Sequence, residues 1–124
     1  MDFEKLDTEQ KEVYSCLVDS IGYDEDEAYE IVSEYEYSLY DSFEDFIYNS
    51  IESNGWNIPD FIEFDFVGMW LHTFSQYYSQ YNFIDYPNFK RSPNYLYKDE
   101  PEYKHWKFYF LDIIKDSRFL EVHR

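Results

Sequence analysis

Apolar residues recur at helical spacing in three stretches of the first half of the chain, and each stretch opens on a capping residue. Asp7 and Gln10 make a capping-box-like start. Val13, Cys16, Leu17 and Ile21 then fall on one helical face, and Gly22 can end the helix. Asp24, with Glu27 following at capping distance, begins a second helix running from Glu25 to about Tyr37. Its inward stripe is Ala28, Ile31, Val32 and Tyr35. Ser42 opens a third helix that turns Phe43, Phe46, Ile47, Ser50 and Ile51 inward, and Asn54-Gly55 stops it.

Beyond this point the pattern weakens. Pro59 suits a first helical turn, so the stretch from Pro59 to Phe64 reads as a short helix at best. From Asp65, the residues Phe66, Met69, Trp70, Thr73, Phe74 and Tyr77 keep a helical period across Gly68. That glycine costs about 1 kcal/mol relative to Ala, so it marks close packing or a break. Residues 79–99 hold two prolines, three asparagines and no clear period, which predicts an irregular, aromatic-anchored segment with room for a short strand. Asp99 and Pro101 open a last helix with Tyr103, Trp106, Phe110, Ile113 and Ile114 on its inner face, and residues 118–124 form a final strand or a tail. The expectation is one mainly α domain (α or α+β), with an acidic helical half over 1–66 and a near-neutral aromatic half over 67–124.

Composition supports folding. At 44% hydrophobic and 24% aromatic residues, the chain carries too much apolar material for a disordered acidic tail. Cys16 is the only cysteine, so no intramolecular disulfide forms. Its place on an apolar face predicts a small buried hydrophobe rather than a reactive thiol, and a reducing, cytoplasmic setting fits. No apolar run approaches ~20 residues, and the opening "MDFEKLDTEQ" lacks the pattern of a signal peptide.

Charge changes the picture most. The net charge is −17, where solubility alone needs about 2–8. Residues 1–66 carry 20 acids against two lysines, and residues 67–124 carry seven acids against eight bases. From Glu12 to Phe89 there is no Lys or Arg. On the second helix, Asp26, Glu30 and Glu34 follow one another at i, i+4, where like charges cost roughly 0.2–0.5 kcal/mol per pair. Asp41 and Asp45 repeat the arrangement. A partner would account for this. A duplex carries one charge per ~1.7 Å of axis, so about 20 charges correspond to roughly 34 Å of DNA. The sequence therefore nominates Asp24, Glu25, Asp26, Glu30, Glu34, Glu36, Asp41, Glu44, Asp45 and Glu52 as phosphate surrogates, with Tyr37, Tyr40 and Tyr48 as apolar anchors between them. The partner expected is a basic nucleic-acid-binding protein; nucleic acid itself and anionic membranes would be repelled. The blander reading is a solvated acidic face whose tyrosines wrap the core edges.

Catalytic and metal chemistry find little support. "DEDEAYEIVSEY" begins like a calcium loop but has Tyr29 where the turn needs Gly and Tyr35 where a bidentate Glu belongs. His72, His105 and His123 are isolated, without zinc-ligand spacing. No Gly-rich phosphate loop or nucleophile elbow is present. The expectation is no enzyme, metal or cofactor. Lys90, Arg91, Lys98, Lys104, Lys107, Lys115 and Arg118 read as balanced surface charge with some pairing to Asp99, Glu102 and Asp112. An alternative has this half meet the acidic half of a second copy, giving a homodimer.

On the residues "EAYEIVSEYEYSLYDSFEDFIYNSIESNGWNIPDFIEFDFVG", the stretch from Tyr23 to about Phe74 resembles the ArdA family of antirestriction proteins. Ile51-Glu52 and Gly55 match that family's turn, Ile58-Pro59 the start that follows, and Phe64-Asp65-Phe66 its aromatic-Asp-aromatic core, with Gly68 where the family has Gly. Met69-Trp70 stands where the family has Arg-Asp. The resemblance implies a phage- or mobile-element-encoded DNA mimic acting in the host bacterial cytoplasm on type I restriction–modification enzymes. Inhibitors of CRISPR effectors share this composition. The rival readings are an immunity protein or antitoxin that plugs a basic nuclease, and an acidic protein-interaction module.

Overall fold

The structure is a computed structural model that describes residues 2–86 and 111–124. Its organising element is the segment the sequence leaves open between strand and tail. Phe119–Val122 (β3) pairs antiparallel with both Tyr37–Tyr40 (β1) and Tyr81–Phe83 (β2), so the sheet order is β1-β3-β2. Phe119 stands opposite Tyr40 on one side and Phe83 on the other.

Successive side chains of a strand leave opposite faces, and β3 uses both. Phe119 enters a core with Phe43, Phe46 and Ile47 of α3 (Phe43–Ser53), Val67, Trp70 and Leu71 of α4 (Phe66–His72), and Ile113 and Ile114. Leu120 and Val122 enter a second core with Val13 of α1 (Thr8–Ser15), Cys16, Leu17, and Ala28, Ile31 and Val32 of α2 (Glu25–Ser33). Helices thus cover both faces of a small sheet, giving the expected mainly α, α+β domain. Phe43 centres the first core, its ring 5.0 Å from Phe119, 5.4 Å from Phe74 and 6.1 Å from Trp70. Such edge-on ring pairs add about 0.5–1.5 kcal/mol each beyond area burial. No described helix is long and apolar enough to cross a membrane.

The start signals act as read. Asp7 and Gln10 form the reciprocal capping box. Gln10 does more, because its Nε2 donates to the carbonyl of Val32 at 2.9 Å and so ties the start of α1 to the end of α2. Asp24 and Ser42 cap α2 and α3 by accepting from Glu27 and Asp45 backbone N–H groups. Cys16 is buried, and Gly22 ends a π-helical turn over Cys16–Ile21 that continues α1. Gly68 reflects close packing: a Cβ there would lie 2.6 Å from Oδ2 of Asp65, whose Oδ1 accepts from the Gly68 N–H to cap α4.

Several expectations are corrected. The second helix stops at Ser33, not near Tyr37. The backbone N–H of Glu36 bonds to the carbonyl of Ile31 at 2.9 Å and that of Tyr35 to Val32 at 3.4 Å, the two bonds of a Schellman turn. Tyr35 fills the left-handed position usually given to Gly, at φ 52°, and is 63% exposed rather than inward. The chain is then free to run extended as β1. Pro59–Phe64 forms a turn, not a helix. The stretch after Asp65 breaks at Thr73 into α4 and a 3-10 turn over Phe74–Tyr77. Its buried stripe is Val67, Trp70 and Leu71, while Thr73 and Tyr77 are exposed. The short strand expected within 79–99 is β2; the rest of that segment, and the start of the last helix with Tyr103, Trp106 and Phe110, lie outside the described residues.

A left-handed non-glycine residue costs about 1–2 kcal/mol, against the roughly 0.5–1 kcal/mol of extra chain entropy that Gly loses on folding. Tyr35→Gly should therefore raise stability by roughly 0.5 kcal/mol. Urea unfolding measures this. A lowered midpoint would mean that the stack of Tyr35 on Tyr37, with centroids 6.3 Å apart, outweighs the backbone strain.

Candidate functional site: carboxylates around the β1 edge

The ten nominated carboxylates divide between the two layers. Asp24, Glu25, Asp26, Glu30 and Glu34 belong to α2 and its caps, and Glu44, Asp45 and Glu52 to α3. These helices pack on opposite faces of the sheet, so the ten do not share one flat face. They run round the sheet at β1, an outer strand. Glu30, Glu34 and Glu36 precede it; Asp41, Glu44 and Asp45 follow it. Glu52 sits roughly 12 Å further along α3 than Glu44, at 1.5 Å rise per residue. Glu36 and Glu44 are half-buried and the other eight are exposed.

Their electrostatics differ along each helix. Glu25 and Asp26 lie in the first turn of α2, and Glu44 and Asp45 in that of α3, where the positive end of the helix dipole favours them. Glu30 and Glu34 lie toward the negative end of α2, where no such help exists. Arg124, just past β3, pairs with only the first of these. Its guanidinium reaches Glu30 at 2.8 Å, Glu27 at 3.3 Å and also Glu36. Cations from the near-neutral half thus pair with acids of the acidic half here and at Glu12. Arg118 bridges Glu12 and Asp85, the latter at 2.7 Å; Asp99 and Glu102, expected among the partners of the basic residues, lie outside the described residues. Among the described residues, no salt bridge reaches Asp24, Glu25, Asp26, Glu34, Asp41, Glu44, Asp45 or Glu52.

The tyrosines are redistributed. Tyr37 is buried, and its hydroxyl donates to Glu9 at 3.2 Å; burial and then that carboxylate push its pKa up. It is a core residue, not a surface anchor, because the strand's two-residue period turns it inward. Tyr40 is half-buried against Phe46 at 5.3 Å and donates to Glu121 at 3.2 Å. Burial foremost, then Glu121, raises its pKa. Tyr48 remains exposed at 52%. Tyr35 takes the surface position expected of Tyr37.

Two other constellations carry less. Oγ of Ser38 lies 2.8 Å from Nε2 of His123, and Oε1 of Glu121 lies 3.5 Å from the same nitrogen. A catalytic triad needs the carboxylate on the other ring nitrogen, so this group does not have that geometry. A groove of about 570 Å³ runs between α1 and the Arg118–Asp85 pair, with Cys16 and Ile84 along it. Among the described residues no group of His, Cys, Asp and Glu is placed to hold a metal ion.

Hydrogen bonds from Arg118 hold the Asp85 carboxyl below its ordinary value of 3.8. A depressed carboxyl stabilises the fold fully above 3.8 and loses that contribution as pH falls through its folded value. Asp85→Asn should therefore lower stability at neutral pH, and the gap to wild type should close well below 3.8, as read by urea unfolding at both pH values. Comparison of the chain with protein-family models, with curated proteins and with solved structures gives no match.

Proposed function

We propose that this protein is a DNA mimic. It acts in the bacterial cytoplasm and occludes the nucleic-acid cleft of a host defence enzyme, a type I restriction–modification enzyme or a CRISPR effector. The observation that carries the reading is the set of exposed carboxylates mounted on capped helices and a strand edge, in a stretch from Glu12 to Phe89 that contains no Lys or Arg. Asp24, Glu25, Asp26, Glu27, Glu30 and Glu34 place six acids along roughly 15 Å of α2, where a duplex would carry about nine charges. That density is two thirds of DNA's, and the α3 acids add to it around the edge.

Arg124 offsets one charge but fixes three carboxylates, so the anions near β1 are positioned before binding. Preorganised charge loses less on association than mobile charge. The mimic offers no bases to read and no phosphodiester to cut. Binding proceeds without chemistry, and complementarity of charge acts chiefly on the rate of encounter.

Reversing Glu34, Asp41 and Glu52 to Lys tests the reading cleanly. Glu34 caps the end of α2 and Glu52 lies in the last turn of α3, where a cation suits the dipole better than an anion. Stability should hold or rise slightly, while displacement of labelled duplex from the target enzyme weakens by about a hundredfold and loses much of its salt dependence. Undiminished displacement by this variant would count against the mimic.

A further inference from the structure

We propose that the loop between α3 and α4, from Trp56 to Ile62, is an apolar anchor that enters a pocket beside the basic cleft of the same partner. The proposal rests on the DNA-mimic reading and adds a contact that charge does not supply. Phe61 is 83% exposed, Trp56 60%, Ile62 44% and Ile58 36%. Soluble domains rarely display so much apolar side chain in one short segment without a use for it.

The display is built rather than slack. α3 ends in a Schellman turn, with Gly55 at φ 67°, its N–H on the Glu52 carbonyl at 3.1 Å and the Trp56 N–H on that of Ile51 at 3.1 Å. The Ile62 N–H closes a turn onto the Pro59 carbonyl at 3.1 Å. At the base of the loop, Tyr48, Phe64 and Phe66 form a triangle of rings with centroids 5.7–5.9 Å apart. Trp is among the residues that dominate interface energies, and a held loop loses little freedom on docking.

Charge identifies the occupant. Glu52, Asp60, Glu63 and Asp65 flank or interrupt the apolar residues along the chain and are all exposed, with no Lys or Arg in the segment. An apolar tip with an anionic rim fits an apolar pocket with a cationic rim. A second copy of the loop, or an anionic bilayer, would meet the same rim with repulsion. A DNA-processing enzyme offers basic surface beside its cleft.

The test is displacement of labelled duplex from a purified type I restriction–modification enzyme and from a purified single-protein CRISPR nuclease, across a salt series, with Trp56→Ala/Phe61→Ala against wild type. Far-UV circular dichroism confirms that the variant folds. The expected result is about a hundredfold weaker displacement with the salt slope unchanged, since no charge is removed. Equal potency of variant and wild type overturns the anchor and leaves the mimic standing. Wild type that displaces duplex from neither enzyme overturns the mimic and the anchor with it. A wild-type dimer in sedimentation that the variant abolishes assigns the loop to self-association and also overturns the proposal.

Discussion

The antiparallel pairing of β3 between β1 and β2 is the constraint on which the rest of the molecule depends. Four residues, Phe119 to Val122, close the sheet in register with Tyr37–Tyr40 and Tyr81–Phe83. Alternation along them sends Phe119 into the aromatic core and Leu120 and Val122 into the aliphatic one. Loss of this strand would unseat both cores together. The same pairing carries the flanking arginines across the chain. Arg118 enters β3 beside Glu12 and Asp85, and Arg124 leaves it beside Glu27, Glu30 and Glu36. Among the described residues, the near-neutral half of the sequence thereby relieves the acidic half through two arginines.

Such relief follows where β3 ends rather than helix electrostatics. Among the first-turn acids, which the helix starts favour, Glu27 is paired with Arg124 all the same, while Glu25, Asp26, Glu44 and Asp45 have no salt bridge among the described residues. Toward the end of α2, Arg124 reaches Glu30 and, beyond the helix, Glu36, but the end-capping Glu34 has no salt bridge among the described residues. Exposed pairs of this kind add little to stability. Their greater effect is geometric: a guanidinium shared by three carboxylates fixes where those carboxylates point. The fold thus tolerates its charge by ordering some of it rather than by cancelling it.

Much of this was legible in the sequence, and the limits have physical causes. Asp7, Asp24 and Ser42 announced their helices because capping is local chemistry, decided by residues three positions apart. The buried stripes of α1, α2 and α3 followed from the same locality. β1 was missed because its stop signal is disguised: a Tyr, not a Gly, takes the left-handed position after α2. The alternation Tyr37, Ser38, Leu39, Tyr40 was the available clue, with Tyr37 and Leu39 packed in one core and Tyr40 against the other. Arg124 could not be placed beside Glu30 from the sequence, since only long-range strand pairing brings them together. The carboxylate inventory was readable; its wrapping around a sheet edge was not.

Tyr35 joins these threads. A left-handed tyrosine is strained, and strain persists where surrounding structure over-determines it. Here two backbone bonds from the turn and the start of β1 hold it in place, between Glu34 and Glu36 and stacked on Tyr37. Gly would satisfy the turn at lower cost but would remove the exposed ring from the middle of the acidic strip. The strip also borders β1, an outer strand, and charged surroundings discourage strand-to-strand addition at such an edge. Repulsion around β1 therefore works against the addition of a second sheet, so the charge that crowds this edge also guards it.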